Sequence, residues 1–227
     1  MLCKWEELPQ NMQNDAVRPY YDSLQEKKFS LLLKAIFDRV VSLLMLIGLS
    51  PIFLILAVMI KMDSSGEVFF RQERVTQYGK KFHIHKFRTM VKNAEALGTQ
   101  VTTKSDMRVT KFGKKLRGCR LDELPQLIDI LQGNMSFVGT RPEVTKYVEQ
   151  YTPEMLATLL LPAGVTSEAS IEYKDEERLL ADAQNADKTY VEVVLPQKMQ
   201  WNLQSIKEFS FVKELLIMIE TVLAVVR

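Results

Sequence analysis

Hydrophobic positions are spread unevenly along the chain. From Val40 to Ile60 there are 21 residues without a charge. A straight helix of that length covers about 31 Å, roughly one hydrocarbon core. Some forty residues that include acids come first, so the layout is not that of a signal peptide. Ser50-Pro51 sits in the middle. Proline removes a backbone donor and crowds the preceding turn, which predicts a kink there. The serine hydroxyl can take up the carbonyl freed by the break. Lys34 and Arg39 precede the run and Lys61 follows it. A spanning helix usually carries its cations on one side. Basic residues at both ends, with a break between, suit a helix hairpin that enters and leaves by one face. A kinked spanning helix and a buried core helix also fit the length.

Elsewhere the pattern is that of a mixed, mainly helical α+β protein. Residues 1–30 are polar and mixed, with Pro9 and Pro19, and read as a surface-lying or loosely held lead-in. Leu31, Leu32, Leu33, Ile36 and Phe37 then open an interfacial helix whose Lys34, Asp38 and Arg39 would stay at headgroup level. Val68–Phe70 and Lys81–Phe87 read as two short strands, and Tyr78-Gly79-Lys80 as the turn that makes them a hairpin. Residues 108–117 begin a strand or a helix. Leu124, Leu127, Ile128 and Leu131 recur at helical spacing and stop at Gly133. Pro142 suits the first turn of a further helix opened by Arg141-Pro142-Glu143. Residues 209–226 form an almost wholly apolar C-terminal helix, interrupted by Lys213, Glu214 and Glu220, that packs on the core or lies in a membrane interface. The expected organisation is a lead-in and interfacial segment (1–33), a re-entrant membrane helix (34–61) and a cytoplasmic catalytic domain (62–227).

Composition adds little: 47% hydrophobic and 26% charged residues exclude a disordered tail or a fibrous repeat. Cys3 and Cys119 lack metal spacing and read as free thiols of a reducing compartment. Charge changes the picture more. Residues 61–120 hold 15 cations against 5 acids, a local +10, which leaves the rest of the chain at −8. Such a block points to an anionic partner. The apolar run just upstream favours membrane lipids. The cations are not interleaved with aromatic residues as a base-stacking platform would require, so nucleic acid is not expected.

Candidate chemistry centres on Leu121-Asp122-Glu123-Leu124-Pro125. Asp122 can cap a helix with Pro125 just inside it, and Arg117 and Arg120 lie within a turn. Helix dipole and arginines favour an ionised Asp122, able to act as nucleophile, general base or Mg²⁺ ligand. Plain helix capping is the alternative. In Gly133–Glu143, glycine turns and Arg141 could face a phosphate. Lys86 and Arg88, in the basic block, join Arg117 and Arg141 as candidate phosphate-binding cations. His83 and His85 share a strand face and suit a solvated or phosphate-adjacent surface better than a metal, since no third ligand is placed nearby.

Taken together, Lys34-Ala-Ile-Phe-Asp38, Ser50-Pro51, Phe69-Phe-Arg-Gln-Glu-Arg74, Lys86-Phe-Arg-Thr-Met90, Leu116-Arg117, Leu121–Gln126 and Val138-Gly-Thr-Arg-Pro-Glu143 resemble the bacterial sugar transferases of the small monotopic phosphoglycosyl transferase family. The likeness runs from about Lys34 to Val165 and more loosely to the C-terminus. It implies transfer of a sugar-1-phosphate from a UDP-sugar to undecaprenyl phosphate with release of UMP, at the cytoplasmic face of the bacterial inner membrane. By the same resemblance Asp122 is the nucleophile that carries the phosphosugar and Glu123 assists. Mg²⁺ binds beside Asp122, Arg117 and Arg141 touch phosphate, and the Ser50-Pro51 break makes the membrane helix re-entrant. A homodimer is compatible with it.

Three residues depart from the family pattern: Thr140 where proline is common, Thr76 for glycine and Met107 for proline. Pro162-Ala163-Gly164-Val165-Thr166 carries an inserted alanine. Ala169-Ser170-Ile171 with Asp175-Glu176-Glu177 looks like the subgroup acting on amino-modified sugars. A membrane-attached Mg²⁺-dependent phosphatase and a non-catalytic module for anionic lipid are the competing expectations.

Overall fold

A computed structural model describes residues 2–92, 94, 106–173 and 186–226. Asp175-Glu176-Glu177 lies outside the described residues. The architecture is mainly helical with two small sheets.

The lead-in is not a surface appendage. Two short 3-10 turns and α1 (Arg18–Glu26) bury Leu8, Met12, Val17, Tyr20, Tyr21 and Leu24. These pack with Ala157, Leu160, Leu203, Ile206 and Phe209 from the far end of the chain. The prolines that masked this pattern are compatible with it: Pro19 sits in the first turn of α1, where its missing donor costs nothing.

α2 (Lys28–Asp63) is one helix of 36 residues with Pro51 inside. Pro51 orphans the carbonyl four residues back, and the Ser50 hydroxyl donates to that Ile47 oxygen at 2.7 Å. Leu31, Lys34, Asp38, Ser42, Leu56 and Ile60 are its buried residues, three to four residues apart on either side of Pro51. The opposite face leaves Leu44, Ile47, Leu54 and Ile55 exposed. Lys34 and Asp38 therefore do not stay at headgroup level: they face the body of the protein, which supplies their partners.

β1 (Phe69–Val75) and β2 (Lys81–Phe87) form the expected antiparallel hairpin, in register from Phe69 opposite Phe87 to Val75 opposite Lys81. Tyr78 and Gly79 close it with φ of 58° and 73°. α3 (Lys111–Gly118) starts on Thr110, whose hydroxyl accepts from the Gly113 amide at 3.0 Å. α4 (Gln126–Gln132) ends on Gly133, at φ 80°. β3 (Met135–Val138) pairs in parallel with β4 (Ala163–Thr166). Arg141-Pro142-Glu143 does not open a helix. It stays extended because the Val75 amide donates to the Glu143 carbonyl and Arg74 to that of Pro142, and α5 (Thr145–Val148) starts only afterwards.

α6 (Glu168–Glu172), α7 (Ala186–Thr189), α8 (Leu195–Lys207) and α9 (Phe211–Val226) complete the chain. The departure at Thr76 has a use: its hydroxyl donates to the Asn134 carbonyl at 2.6 Å and accepts from the Ala163 amide at 3.1 Å, tying the hairpin to both strands of the second sheet.

Candidate active site

Asp122 does not cap α4. Pro125 occupies that position, and Leu121–Glu123 form their own 3-10 turn, entered through Arg120 at φ 53°. The turn is seated by α3 on one side and β2 on the other, and Asp122 is only 8% exposed. Burial, with the charge of Glu123 added, pushes its carboxyl above the usual aspartate range; Lys86 and Arg117 pull the other way and do not win. The dipole-and-arginine expectation is thus reversed in sign. Desolvation outweighs the cations, and Arg120 is exposed.

Glu123 behaves oppositely. Its Oε1 accepts from Lys86 Nζ at 2.8 Å and from Arg141 Nη2 at 2.7 Å. Although burial opposes it, these two cations hold the carboxyl well below the usual glutamate range. Lys86 reaches across from β2 and Arg141 from the turn after β3, so Glu123 fastens three separate elements at one point. Adjacent carboxylates with opposed environments are a recurrent feature of catalytic sites. Asp122 is left outside this triangle, with cationic charge and its own backbone amide about its carboxyl and, among the described residues, no ion pair.

Of the sequence-predicted residues, Asp122, Glu123, Lys86 and Arg141 come together, and Arg117 faces them from α3. Arg88 does not. Its guanidinium donates to the carbonyls of Ser64 at 2.6 Å and Ser65 at 2.7 Å, capping the end of α2. Gly66 makes room for it: a Cβ there would stand 2.0 Å from Nη1. Lys86 and Arg88 were both expected at phosphate; the chain end of α2 intercepts the second. The histidines also separate. His83 is exposed, whereas His85 is buried, its Nδ1 2.7 Å from Asp129 Oδ1 and its amide donating to Asp129 Oδ2. The sequence suggested a solvated or phosphate-adjacent face for both; α4 covers one of them.

Reasoning from sequence also passed over a second buried group. Lys34, Asp38 and Glu214 are each less than a tenth exposed and meet where α2, α9 and β3 cross. The available signal was an i,i+4 charge pair inside an otherwise apolar helix.

This site sits at the foot of a long apolar helix: a buried carboxylate bordered by cations that suits phosphate chemistry beside a membrane. The model of the family described as bacterial sugar transferase matches residues 29–227, and the chain belongs to that family. It is 36% identical over 176 residues to the UDP-N-acetylgalactosamine-undecaprenyl-phosphate N-acetylgalactosaminephosphotransferase of Aeromonas hydrophila, covering 76% of this chain and 38% of that protein. Identity to the UDP-glucose:undecaprenyl-phosphate glucose-1-phosphate transferase of Xanthomonas campestris pv. campestris is 44% over 119 residues, 52% of this chain and 25% of that one. With the enzyme of the same description from Escherichia coli K12 it is 39% over 166 residues, 71% and 35%. The chain thus spans between a quarter and two fifths of the length of these relatives.

Proposed function

We propose that the protein transfers a sugar-1-phosphate from a UDP-sugar to undecaprenyl phosphate through a covalent phosphosugar on Asp122. The observation that carries this reading is the division of labour in the acidic pair: Glu123 is engaged by Lys86 and Arg141, while Asp122 is buried beside them and, among the described residues, in no ion pair. An ionised Asp122 oxygen attacks the sugar-bearing phosphorus. The bond from that phosphorus to the bridging oxygen breaks, and UMP leaves with the electron pair. A phosphate oxygen of the lipid then attacks the same phosphorus, and the Asp122 carboxylate is regenerated. Forming an intermediate lets a soluble nucleotide and a membrane lipid use one site in turn. Lys86, Arg117 and Arg141 supply fixed positive charge where phosphate oxygens gather. Glu123, held strongly acidic, is a poor proton acceptor near neutral pH; its part is to aim Lys86 and Arg141.

The donor set fits Mg²⁺, which takes one or two carboxylates with phosphate oxygens and water rather than an all-protein cage. Asp122 would hold it together with the diphosphate of the donor, and the ion would offset the repulsion between carboxylate and diphosphate.

The membrane seat belongs to the same reading. Residues on both sides of Pro51 pack on one body, Phe37 against Phe137 at 6.3 Å and Phe53 against Phe87 at 5.4 Å, with Leu46 and Leu49 half-buried between them. Basic residues flank the apolar run at both ends, Lys34 and Arg39 before it and Lys61 after it. This supports a re-entrant helix broken at Ser50-Pro51, with both ends on the cytoplasmic side of the bacterial inner membrane. α9 adds a second exposed apolar stripe, through Val212, Leu216, Ile219 and Leu223, suited to the membrane interface.

A panel of UDP-sugars incubated with Mg²⁺, with and without undecaprenyl phosphate, tests the reading. UMP release that requires the lipid is expected for at least one sugar. Sugar phosphate released to water without the lipid would make the protein a phosphatase, and no release with any sugar would leave it a lipid-binding module.

A further inference from the structure

The buried charges of α2 hold β3, the strand that leads to Arg141. Asp38 Oδ2 accepts from the Ser136 hydroxyl at 2.7 Å, and its Oδ1 lies 3.4 Å from the Phe137 amide. Lys34 Nζ donates to the Val138 carbonyl at 2.8 Å. One i,i+4 pair on the membrane helix therefore holds three successive residues of β3. Glu214, from α9, accepts from the same ammonium at 2.5 Å and supplies its counter-charge, with Asp38 Oδ2 a further 3.8 Å away.

Beyond Val138 the backbone has little slack. The Gly139 amide donates to the Thr166 carbonyl and the Gly164 amide to that of Thr140, both at 2.9 Å. Gly139 and Gly164 meet so closely that a Cβ on Gly164 would stand 2.1 Å from the Gly139 nitrogen. The next residue is Arg141, fastened to Glu123. A displacement of Val138 cannot be absorbed before it reaches the arginine, because packed backbone at this separation transmits strain.

We propose that Lys34 is a positioning residue for the reaction: through the Val138 carbonyl it sets where Arg141 stands, so that the seating of the membrane helix fixes the geometry of the phosphate site. Glu214, which accepts from the ammonium, aims it. The inference rests on the functional reading above for the role of Arg141, and on the hydrogen-bond path alone for the coupling.

Lys34→Met by itself leaves Glu214 and Asp38 without their cation and is apt to unfold. The test therefore uses the paired variant Lys34→Met/Glu214→Leu, which removes opposite charges together, in the full chain reconstituted in nanodiscs. Two readouts are taken. Hydrogen exchange at the Gly139 and Gly164 amides is expected to accelerate at least tenfold while that of α4 stays unchanged. Lipid-dependent UMP release is expected to fall at least tenfold, and to fall less than twofold when the pair is introduced into Arg141→Ala, since both act through one group. Unchanged exchange at those amides, or losses that simply multiply in the combined variant, would overturn the coupling. Full turnover by Arg141→Ala alone would instead sink the assignment of that arginine, and with it the catalytic part of the proposal; the exchange result would still decide the mechanical part.

Discussion

Two neighbouring carboxylates in one short turn are driven in opposite directions, and residue-scale tests follow from that. Asp122 is raised by burial and by Glu123, and lowered by Lys86 and Arg117. If catalysis needs its ionised form, kcat/KM falls on the acid side as it protonates. Lys86→Met removes a charge that lowers this pKa, so the acid limb should move to higher pH; a limb that stays put or moves down would show that another group titrates. Glu123 is depressed below its unfolded value near 4.5. Its contribution to stability is therefore complete above that pH and is lost as pH falls through the folded value. Glu123→Ala leaves Lys86 and Arg141 facing each other and should cost about 3–5 kcal/mol in denaturant unfolding at neutral pH. The presence of the acidic pair, and the cations Lys86 and Arg141, could be read from the residue string. The charge state of Asp122 could not, because it depends on how deeply α3 and β2 bury the turn, and that is a tertiary quantity. Arg88 was misplaced for a related reason. A cation beside a phosphate-binding segment reads as a ligand, and only the path of the chain shows the carbonyl ends of α2 waiting for it.

At the scale of elements, the hairpin, α4 with its Gly133 stop and the C-terminal helix were legible because each rests on local periodicity and turn chemistry. The helix expected at Arg141-Pro142-Glu143 was not formed, because a long-range partner, the end of β1, holds those residues extended. The lead-in was underestimated because its buried residues are spaced irregularly and matched by partners more than a hundred residues away. Thr76 shows the same limit: a departure from the family pattern becomes a bridge only once α4, β3 and β4 surround it. Thr76→Val keeps the shape and strands the Asn134 carbonyl and the Ala163 amide. It should lower stability by about 1–3 kcal/mol, measured by urea unfolding in detergent. Gly164→Ala should cost at least as much, since its Cβ meets backbone that cannot yield.

The whole molecule sets polar and apolar surfaces apart. Its body carries the carboxylate pair, and the exposed faces of α2 and α9 are apolar. Single cysteines at Phe29 and Ser64, in a chain whose Cys3 and Cys119 are replaced, should both react with an impermeant maleimide from the cytoplasmic side of inverted vesicles. Labelling from opposite sides would show a spanning helix. The length of the apolar run was plain from the sequence, but not which of its residues face the body, since that requires knowing what Phe37 and Phe53 pack against. The most direct test of the chemistry is the intact mass of the protein after incubation with its UDP-sugar donor and Mg²⁺, without lipid. The account requires a mass increase of one sugar phosphate, mapped to Asp122, absent from Asp122→Asn and discharged by undecaprenyl phosphate. Lipid-dependent UMP release by an enzyme that never gains this mass, or an adduct that persists in Asp122→Asn, would contradict it.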